Sequence, residues 1–340
     1  MRAAVVTRKG GPEVLEIREF PEPEPGLGQV RVRVKAIGLN FADVLMRLGV
    51  YTGTPATPFV PGLEFSGVIE KVGDGVDAFR GGESVMAVTR FGSHAEFVAL
   101  DARRVMRLPA QMSFEEGAAF PVNYLSAHCG LVHLGRTRPG ERLLLHAAAG
   151  GVGIATIQLA RHIGAEIFGT AGSPAKIELI RSLGVEHAIN YRVDDFAAAV
   201  RRIAGQNGID VVMDSVAGRF FKQGWDLLAP MGRYIIYGMA SVCGTGGLNY
   251  LRAAREWLAL PRIQPLHMVA ANRTLAAFHL GTLDPAHPYF RAAAGEILEL
   301  YGHGVLRPFV SATFPFERIR EAHAHLQSRA STGKVVVTIH

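Results

Sequence analysis

Short apolar runs separated by glycine and proline clusters fill the first part of the chain, up to about residue 120. The runs RAAVVT, QVRVRVKAIGLN, FSGVIEKVG, ESVMAVT and HAEFVAL each have the length of a strand. Their β-branched residues, and the turn residues between them, are typical of antiparallel strands. The pattern predicts a β-rich, barrel-like unit.

From about residue 124, strand-sized apolar runs alternate with segments of helical length. The apolar runs are RLLLHA, EIFGTA, HAIN, IDVVMDSV and GRYIIYG, and the helices between them are predicted to begin near Val152, Pro174, Asp194 and Arg219. Repeated alternation of this kind is typical of a parallel sheet with helices on both faces. This part of the sequence predicts a doubly wound α/β unit.

The last part of the chain returns to the mixed style of the first. The run YFRAAAGEILELYGHG predicts one helix, and FERIREAHAHLQ and GKVVVTI predict a final helix and strand. We therefore expect a β-rich domain at residues 1–123, a doubly wound domain at 124–283, and a return to the β-rich domain at 284–340. The predicted fold class is α/β, a doubly wound parallel sheet beside a β-rich domain.

Composition narrows the classes of protein that fit this pattern. Hydrophobic residues make up 49% of the 340 positions and charged residues 19%, which is ordinary for a globular protein. The net charge of +6 is spread over small basic groups without a stripe, so nucleic acid is not expected as a primary partner. Stable membrane insertion is not expected either, because no apolar stretch approaches the roughly 20 residues that span a bilayer.

Two further features bear on location and metal content. The chain starts directly with the strand-like MRAAVVT, without a basic and apolar leader, which favours the cytoplasm. Its two cysteines, Cys129 and Cys243, do not have the spacing of a metal site. They therefore predict neither a disulfide framework nor a zinc site made of thiolates.

A glycine-rich turn joins the first predicted strand of the doubly wound domain to its first helix. In HAAAGGVGIATIQLA, alanine occupies the first of three positions that are usually glycine, which gives the spacing AxxGxxG. Small residues here let backbone N–H groups approach a pyrophosphate, and the last glycine allows helix and strand to pack closely. We predict that this turn binds a dinucleotide. The residues assigned to it are Ala149, Gly150, Gly151, Val152 and Gly153.

The end of the second predicted strand indicates which dinucleotide is bound. Sites for NADH usually place an acidic residue there to bind the ribose 2′-hydroxyl. Here the rim carries Thr170 and Ser173, followed by Lys176 and, after the next strand, Tyr191. Hydroxyls, an ammonium and a phenol suit a 2′-phosphate, so NADPH is favoured over NADH. The alternative is that Lys176 is a solvated helix residue and Tyr191 an edge aromatic residue.

Several longer phrases resemble one protein family over essentially the whole chain. GLNFADVLMRLGVYTG, PGLEFSGVIEKVGDGVDAFRGGESV and FPVNYLSAH, followed by the AxxGxxG unit, resemble the zinc-independent quinone oxidoreductases, the zeta-crystallin-like branch of the medium-chain dehydrogenase/reductase superfamily. Residues 255–280 further resemble the subgroup around synaptic vesicle membrane protein VAT-1. The resemblance implies a GroES-like catalytic domain formed by both chain ends, a Rossmann domain between them, and commonly a homodimer paired through the Rossmann sheet edge.

The resemblance also implies that no catalytic zinc is bound. The positions that hold the metal in the superfamily's alcohol dehydrogenases carry Asn40, Leu63 and approximately Val122 in this sequence. An amide, a leucine and a valine cannot form a zinc site. Without a metal to polarise a ketone, the remaining reaction is hydride transfer to an electron-poor acceptor, a quinone or an enone. Asp43 and Glu64 also match family positions and are interpreted as residues that orient loops.

By the same resemblance, a small set of residues forms the expected active site. Asn40 is expected to donate a hydrogen bond to the acceptor's carbonyl oxygen, and Tyr51 to donate a proton or to position the acceptor. Asn123 is expected to lie near the nicotinamide. The cofactor contacts that the resemblance implies later in the sequence are Ser215, Gly238, Met239 and Lys334. The alternative for Lys334 is that it is an exposed lysine at the end of a strand.

The sequence therefore predicts a zinc-independent, NADPH-dependent reductase of quinones or α,β-unsaturated carbonyls. One alternative is an enoyl-thioester reductase of the polyketide type. Those enzymes tend to carry a lysine shortly after the counterpart of SVAG, where this chain has Phe220 and, close by, Lys222. Another alternative is a non-catalytic family member that binds RNA or membranes, with LNYLRAAREWLAL at residues 248–260 as an amphipathic helix.

Overall fold

Two large sheets, one mixed and one parallel, organise the chain. The computed structural model describes residues 1–244, 247–248, 250–260, 263–284 and 287–340. Both sheets lie within these residues and each has its own buried hydrophobic cluster. Among the described residues, no helix combines the length and the hydrophobicity that crossing a membrane requires.

The mixed sheet is formed largely by the first part of the chain. The elements of this part begin with a separate hairpin of β1 (Arg2–Val6) and β2 (Leu15–Glu19). The strands of the mixed sheet follow, with one helix among them: β3 (Gln29–Leu39), α1 (Phe41–Arg47), β4 (Glu64–Val72), β5 (Ser84–Val88), β6 (Phe97–Asp101) and β7 (Val105–Arg107). β1 and β2 pair with each other, and β3 is the central strand of the mixed sheet, paired antiparallel with β4 and β6. The alternate residues Val30, Val32 and Val34 of β3 are buried in its core, as the period of a strand requires.

Two short helices lead from the mixed sheet to the parallel one. They are α2 (Phe114–Ala119) and α3 (Pro121–His128). α2 begins with a capping box, in which Ser113 and Glu116 each bind the other's backbone N–H. α3 begins with Pro121, which fits the first helical position because no N–H is needed there.

The parallel sheet is built from alternating strands and helices, as predicted. They are β8 (Arg142–Leu145), α4 (Gly151–Ile163), β9 (Glu166–Ala171), α5 (Pro174–Ser182), β10 (His187–Asn190), α6 (Phe196–Ala204), β11 (Ile209–Asp214), α7 (Arg219–Trp225) and β12 (Leu228–Ile236). The strand order is β10-β9-β8-β11-β12, with every pair parallel. Leu143, Leu144 and Leu145 of β8 are fully buried, because helices cover both faces of a sheet of this kind.

A further strand, which the sequence analysis did not predict, extends the parallel sheet beside β12. The elements in this region are β13 (Cys243–Gly244), β14 (Gly247–Leu248), α8 (Tyr250–Leu258), α9 (Pro265–Ala271) and β15 (Thr274–Ala277), and β15 pairs parallel with β12. The predicted amphipathic helix at 248–260 corresponds to α8. Residue 249 of that prediction lies outside the described residues.

The end of the chain returns to the mixed sheet. Its elements are α10 (Pro288–Gly302), β16 (Val310–Pro315), α11 (Ile319–Gln327) and β17 (Lys334–Thr338). β17 pairs antiparallel with β3 and parallel with β16. The α/β fold class, with its β-rich and doubly wound parts, is confirmed. The division at 123/124 and 283/284 stays a prediction, and its first boundary falls within α3.

Candidate functional site

The predicted glycine turn forms the N-terminus of α4. Gly150 is the capping residue, and no described side chain caps the first N–H groups of this 13-residue helix. The N–H of Gly150 donates to the carbonyl oxygen of Ala147 at 3.0 Å, whereas Gly151 and Val152 are only half-buried and have N–H groups that a bound anion can reach. A Cβ on Gly153 would lie 2.4 Å from the carbonyl oxygen of Ala148, so only glycine lets helix and strand pack this closely. The turn therefore fits a pyrophosphate.

The segment before β17 covers one side of this turn. The N–H of Gly333 donates a hydrogen bond to the carbonyl oxygen of Ala149 at 2.8 Å, and Gly333 forms a parallel bridge with Gly150. Residues far apart in the sequence thus shape the same turn.

Three of the predicted rim residues meet at the end of β9. Ser173 caps α5 by accepting a hydrogen bond from the N–H of Lys176. The ammonium of Lys176 donates to the carbonyl oxygen of Arg329 at 2.8 Å. The hydroxyl of Tyr191 lies 2.6 Å from where a Cβ on Gly172 would stand. Ser173 and the phenol of Tyr191 thus border Gly172, and Lys176 lies in the first turn of α5, which Ser173 caps; this set of groups suits a 2′-phosphate.

Thr170, the fourth predicted rim residue, faces the interior instead. Its side chain is buried, and its hydroxyl lies 3.0 Å from Nδ1 of His146. Successive side chains of a strand point to opposite faces, so a position at the strand end does not by itself fix the direction. The structure thus separates Thr170 from the three residues that meet at the rim.

Two arginines that the sequence analysis did not assign bring more positive charge to this rim. Arg192 directly follows Tyr191, and Arg329 comes from the loop between α11 and β17. The pKa of Lys176 is lowered, first by burial and then by the charges of Arg192 and Arg329. Three cations this close to one another favour an anionic ligand. The position of Arg192 next to Tyr191 was a usable signal, whereas Arg329 is brought in only by the tertiary fold.

The remaining predicted cofactor contacts lie where β11 and β12 end. A Cβ on Gly238 would stand 2.9 Å from the carbonyl oxygen of Ser215, and the N–H of Ala240 donates to the same oxygen at 3.0 Å. Met239, between them, is half-buried. Because all strands of this sheet are parallel, these ends lie at the same carboxyl edge as the glycine turn, where open α/β sheets bind ligands.

Lys334, the first residue of β17, is the centre of a buried polar network. Its ammonium forms an ion pair with Glu64 and donates hydrogen bonds to Oδ1 of Asn40 at 2.9 Å and Oδ1 of Asn123 at 3.2 Å. The side chains of Lys334 and Glu64 are only 3% and 0% exposed. An ammonium has three N–H donors, and this network uses all of them. Lys334 is therefore not an exposed strand end.

The ammonium also determines which way the amide of Asn40 faces. Because an ammonium can only donate, the amide oxygen must point towards Lys334. The amide nitrogen then donates to Oε1 of Glu64 at 2.9 Å and to the carbonyl oxygen of Gly38 at 3.2 Å. Both amide N–H groups are thus engaged within the protein. In this arrangement Asn40 holds the network together and does not offer a donor to an acceptor.

Asn123 lies between this network and the glycine turn. Its oxygen accepts from Lys334, and its nitrogen donates to the carbonyl oxygen of Ala119 at 2.9 Å. The same nitrogen is 2.6 Å from where a Cβ on Gly151 would stand. Glycine at position 151 is what allows the amide to lie against the turn. Asn123 is thereby held at the cofactor side of the site.

Glu64 connects the network to the start of α3. Its Oε2 accepts a hydrogen bond from the N–H of Val122 at 2.8 Å, near the positive end of the helix dipole. Glu64 comes from β4 of the mixed sheet, whereas α3 leads into the parallel sheet. Glu64 was expected to orient loops, and its pairing with Lys334 is not apparent from the sequence.

Asp43 is fully buried beside the same network. Its Oδ2 accepts a hydrogen bond from the N–H of Asn40 at 2.7 Å, and its Oδ1 has no hydrogen-bond partner among the described residues. Burial raises the pKa of Asp43 to about 7; the Asn40 N–H and the charge of Lys334 oppose this, and the charge of Glu64 adds to it. The carboxyl group therefore exchanges its proton near neutral pH.

Tyr51 follows α1 and packs close to Leu63 and Val122, two of the positions that hold the metal in the superfamily's alcohol dehydrogenases. Tyr51 and Val122 both contact a hydrophobic cluster that contains Leu63. Burial raises the pKa of Tyr51 to about 12, with a further rise from Asp43 and an opposing effect of Arg90. The phenol is therefore protonated throughout the neutral range and can act as an acid.

Asn40, Leu63 and Val122 occupy the positions that hold the metal in the superfamily's alcohol dehydrogenases. Leu63 and Val122 offer hydrocarbon side chains, and the amide oxygen of Asn40 already accepts from Lys334. Within the described parts of the chain, no group of three or more His, Cys, Asp or Glu side chains could hold a metal ion. These donors do not fit zinc, which takes nitrogen, sulfur or carboxylate ligands.

Comparison with known proteins identifies the family. The pattern described as the alcohol dehydrogenase GroES-like domain matches residues 26–110, and the pattern described as zinc-binding dehydrogenase matches residues 183–337. The chain is 37% identical over 340 residues to the synaptic vesicle membrane protein VAT-1 homolog of Rattus norvegicus, covering 99% of this chain and 84% of that protein. The chain belongs to the medium-chain dehydrogenase/reductase superfamily. Its predicted resemblance to the VAT-1 subgroup is confirmed.

Two solved structures illustrate the range of this medium-chain dehydrogenase/reductase group. The Escherichia coli quinone oxidoreductase complexed with NADPH superimposes with a TM-score of 0.86 at 28% identity, covering 100% of both chains. The CurK enoyl reductase superimposes with a TM-score of 0.84 at 31% identity, covering 100% of this chain and 99% of that one. The protein is therefore an oxidoreductase of a superfamily that binds nicotinamide cofactors, and the prediction of such a cofactor is confirmed.

Proposed function

We propose that this medium-chain dehydrogenase/reductase transfers hydride from NADPH to a quinone or an α,β-unsaturated carbonyl, without zinc. The ion pair between Lys334 and Glu64 is the observation that carries the proposal. It lies beside Asn40 and Val122, at positions that hold the metal in the superfamily's alcohol dehydrogenases, and its ammonium already compensates the buried carboxylate. A second cation at this point would meet repulsion from Lys334 and the hydrocarbon side chains of Leu63 and Val122.

The acceptor class follows from this electrostatic arrangement. Without a metal to polarise a ketone, the acceptor must already be electron-poor, as quinones and enones are. NADPH, when bound, supplies the hydride. The chain's own residues do the rest: Asn123 lies against the glycine turn and orients the nicotinamide end. Tyr51, protonated at neutral pH, is positioned as an acid.

The rim of β9 supports NADPH rather than NADH as the cofactor. Lys176, Arg192 and Arg329 supply positive charge there, and Ser173 and Tyr191 supply hydroxyl groups. A 2′-phosphate carries negative charge and several acceptor oxygens, so it suits this set far better than a ribose hydroxyl does. The NADPH complex of the Escherichia coli relative is consistent with this assignment.

A second candidate function is the reduction of enoyl thioesters, which the similarity to the CurK enoyl reductase favours. The residues at and near the position where polyketide-type enoyl reductases tend to carry a lysine argue against this function. Phe220 is buried among His146, Phe196 and Tyr191. Lys222 is exposed on α7 and pairs with Asp226 at 2.9 Å. Neither residue offers an ammonium to a substrate.

A homodimer that acts in the cytoplasm completes the proposal. In the described part of the chain, β15 is at the edge of the parallel sheet. The neighbouring helices α8 and α9 expose large apolar side chains: Leu251, Trp257, Leu258, Leu266 and Val269. An exposed apolar set at a sheet edge suits pairing with a second copy. Light scattering tests this, since Leu258→Glu is expected to convert a dimer to a monomer. Binding of the wild type to vesicles, with a monomeric mass, would instead favour the membrane alternative.

Oxidation of NADPH and NADH, followed at 340 nm, tests the reductase function directly. The acceptors are 1,4-benzoquinone, 9,10-phenanthrenequinone, an alkenal and crotonyl thioester, each with and without EDTA. We expect turnover with NADPH that EDTA does not change, on a quinone or the alkenal. Preference for the thioester, together with loss of activity in Lys222→Met, would select the second candidate. Loss of activity in EDTA, restored by zinc, would refute the zinc-independent mechanism.

A further inference from the structure

His279 lies at the carboxyl end of β15, the strand that the sequence analysis did not predict. β15 is parallel to β12, so His279 lies at the same sheet edge as Gly238 and Met239. Its neighbours fix its backbone: Phe278 stacks on Tyr237 with ring centroids 5.7 Å apart, and Leu280 is buried in the core. A histidine that follows the parallel sheet therefore lies at the edge where the cofactor and acceptor are expected.

His279 meets Tyr51 at this edge. Their ring centroids are 5.1 Å apart, and the rings are tilted by 42°. A Cβ on Gly281 would stand 3.7 Å from the hydroxyl of Tyr51 and 3.2 Å from Cε1 of His279, so both groups border the same small space. Tyr51 is half-buried, whereas His279 is exposed. The pair thus leads from the interior of the site to solvent.

The hydrogen bonds of Thr282 determine the tautomer of the imidazole. The Thr282 hydroxyl donates to the carbonyl oxygen of His279 at 3.0 Å, so its oxygen is left to accept. Nδ1 of His279 lies 3.2 Å from that oxygen and therefore carries the proton in the neutral ring. Nε2 keeps a lone pair that can receive a proton from water and pass it on.

Two charged groups face this pair from neighbouring elements. Arg90, in the loop after β5, lowers the pKa of both rings, and Asp43 of α1 raises that of Tyr51. For His279, the partial burial of its ring against neighbouring residues is the main cause of the lowered pKa, and its own backbone hydrogen bond opposes it. At neutral pH the resting pair is therefore a protonated phenol beside a neutral imidazole.

We infer that Tyr51 and His279 form the proton-delivery pair of the enzyme: Tyr51 is the acid, and His279 reprotonates it from solvent. This inference rests on the proposed reductase function. Once the acceptor's carbon has received hydride, the O–H bond of Tyr51 breaks and the proton bonds to the acceptor's negative oxygen. Nε2 of His279 then takes a proton from solvent and gives it to the phenolate, directly or through one water, so the imidazole returns to its neutral form. Only protons move in these steps.

The test compares Tyr51→Phe, His279→Gln and the double variant with the wild type. His303→Gln is the matched control, because His303 is an exposed histidine at the end of α10. We expect kcat for the preferred acceptor to fall about 100-fold in each single variant. The double variant is expected to be about as slow as the slower single one, because the two groups act in series. The dissociation constant of NADPH is expected to stay unchanged, and free imidazole should partly restore His279→Gly.

A second readout needs no turnover. In the isotope-labelled protein, imidazole NMR is expected to report the Nδ1–H tautomer of His279, and Tyr51→Phe should shift the apparent pKa of His279, because the phenol beside the imidazole is lost. Full activity of His279→Gln, or multiplying losses in the double variant, would overturn the inference while the reductase function stands. If the wild type reduces no acceptor but Tyr51→Phe still shifts the pKa of His279, the proposed function is refuted and the acid–base pair remains. If Tyr51→Phe leaves the pKa of His279 unchanged, the pair is overturned in either case.

Discussion

Replacing Lys334 by methionine tests the buried network most directly. Methionine has a similar length and no charge, so Lys334→Met removes the ammonium with little change in volume. The change leaves the carboxylate of Glu64, which is 0% exposed, without its cation. It also removes the donor to the amide oxygens of Asn40 and Asn123. The network then contains a buried charge and two acceptors with no donor.

The size of the effect follows from burial. Removing one partner of a buried ion pair destabilises a protein by about 3 to 5 kcal/mol, because the remaining charge stays in a poorly solvated place. An exposed pair contributes only about 0 to 1 kcal/mol. The side chains of Lys334 and Glu64 are 3% and 0% exposed, so their ion pair is a buried one. We therefore expect Lys334→Met to lower the free energy of unfolding by about 4 kcal/mol.

Urea denaturation followed by tryptophan fluorescence measures this loss. Lys222→Met is the matched control, because the Lys222–Asp226 pair is 69% and 42% exposed and its loss should change stability by under about 1 kcal/mol. Combining Lys334→Met with Glu64→Gln should recover about 1 to 3 kcal/mol relative to the sum of the single changes. Strict additivity, or a loss for Lys334→Met no greater than that of the control, would refute the assignment.

Three further predictions concern the cofactor rim, the glycine turn and the buried carboxyl group. Lys176→Ala is expected to lower kcat/KM for NADPH by about 10- to 100-fold and to leave NADH unaffected, since one charge-assisted contact to the 2′-phosphate is lost; equal losses with both cofactors would contradict this. Gly151→Ala should displace the amide of Asn123 and slow turnover by about 100-fold, with NADPH fluorescence titration separating binding from chemistry. The pKa of Asp43 rises from 3.8 in the unfolded chain to about 7, so the folded state binds more protons between these values and stability falls as pH rises through them. Asp43→Asn should flatten that part of a melting temperature against pH curve, whereas an unchanged slope would assign it to another group.

Features that depend on neighbours in sequence could be predicted, because local spacing carries them. The glycine turn follows β8, and Ser173, Lys176 and Tyr191 follow the next two strands, β9 and β10, so the parallel strands bring them to one sheet edge. Thr170 marks the limit of this reasoning. Its position at the strand end could be predicted from the sequence, but the pleat of the strand turns its side chain towards His146 in the core.

Features that depend on distant pairs could not be predicted from spacing. The bond between Lys334 and Asn40 joins residues 294 positions apart, and only the pairing of β17 with β3 brings them together. His279 was missed for a related reason, because the short strand β15 has half-buried and exposed residues and so lacks a clear hydrophobic pattern. The contact between Lys334 and Asn40, and the position of His279 at the site, become apparent only from the assembled sheets.

The pairing of β17 with β3 also has a consequence during synthesis on the ribosome. Val335 pairs with Leu39, and the ribosome must add almost the entire chain between making one and the other. At 5 to 20 residues per second, the end of β3 waits roughly 15 to 60 s for its partner. During that time Ala36 to Leu39 form an open strand edge, which can pair with other nascent chains. We expect the yield of folded protein to depend on chaperones that cover this edge until the last strand is made.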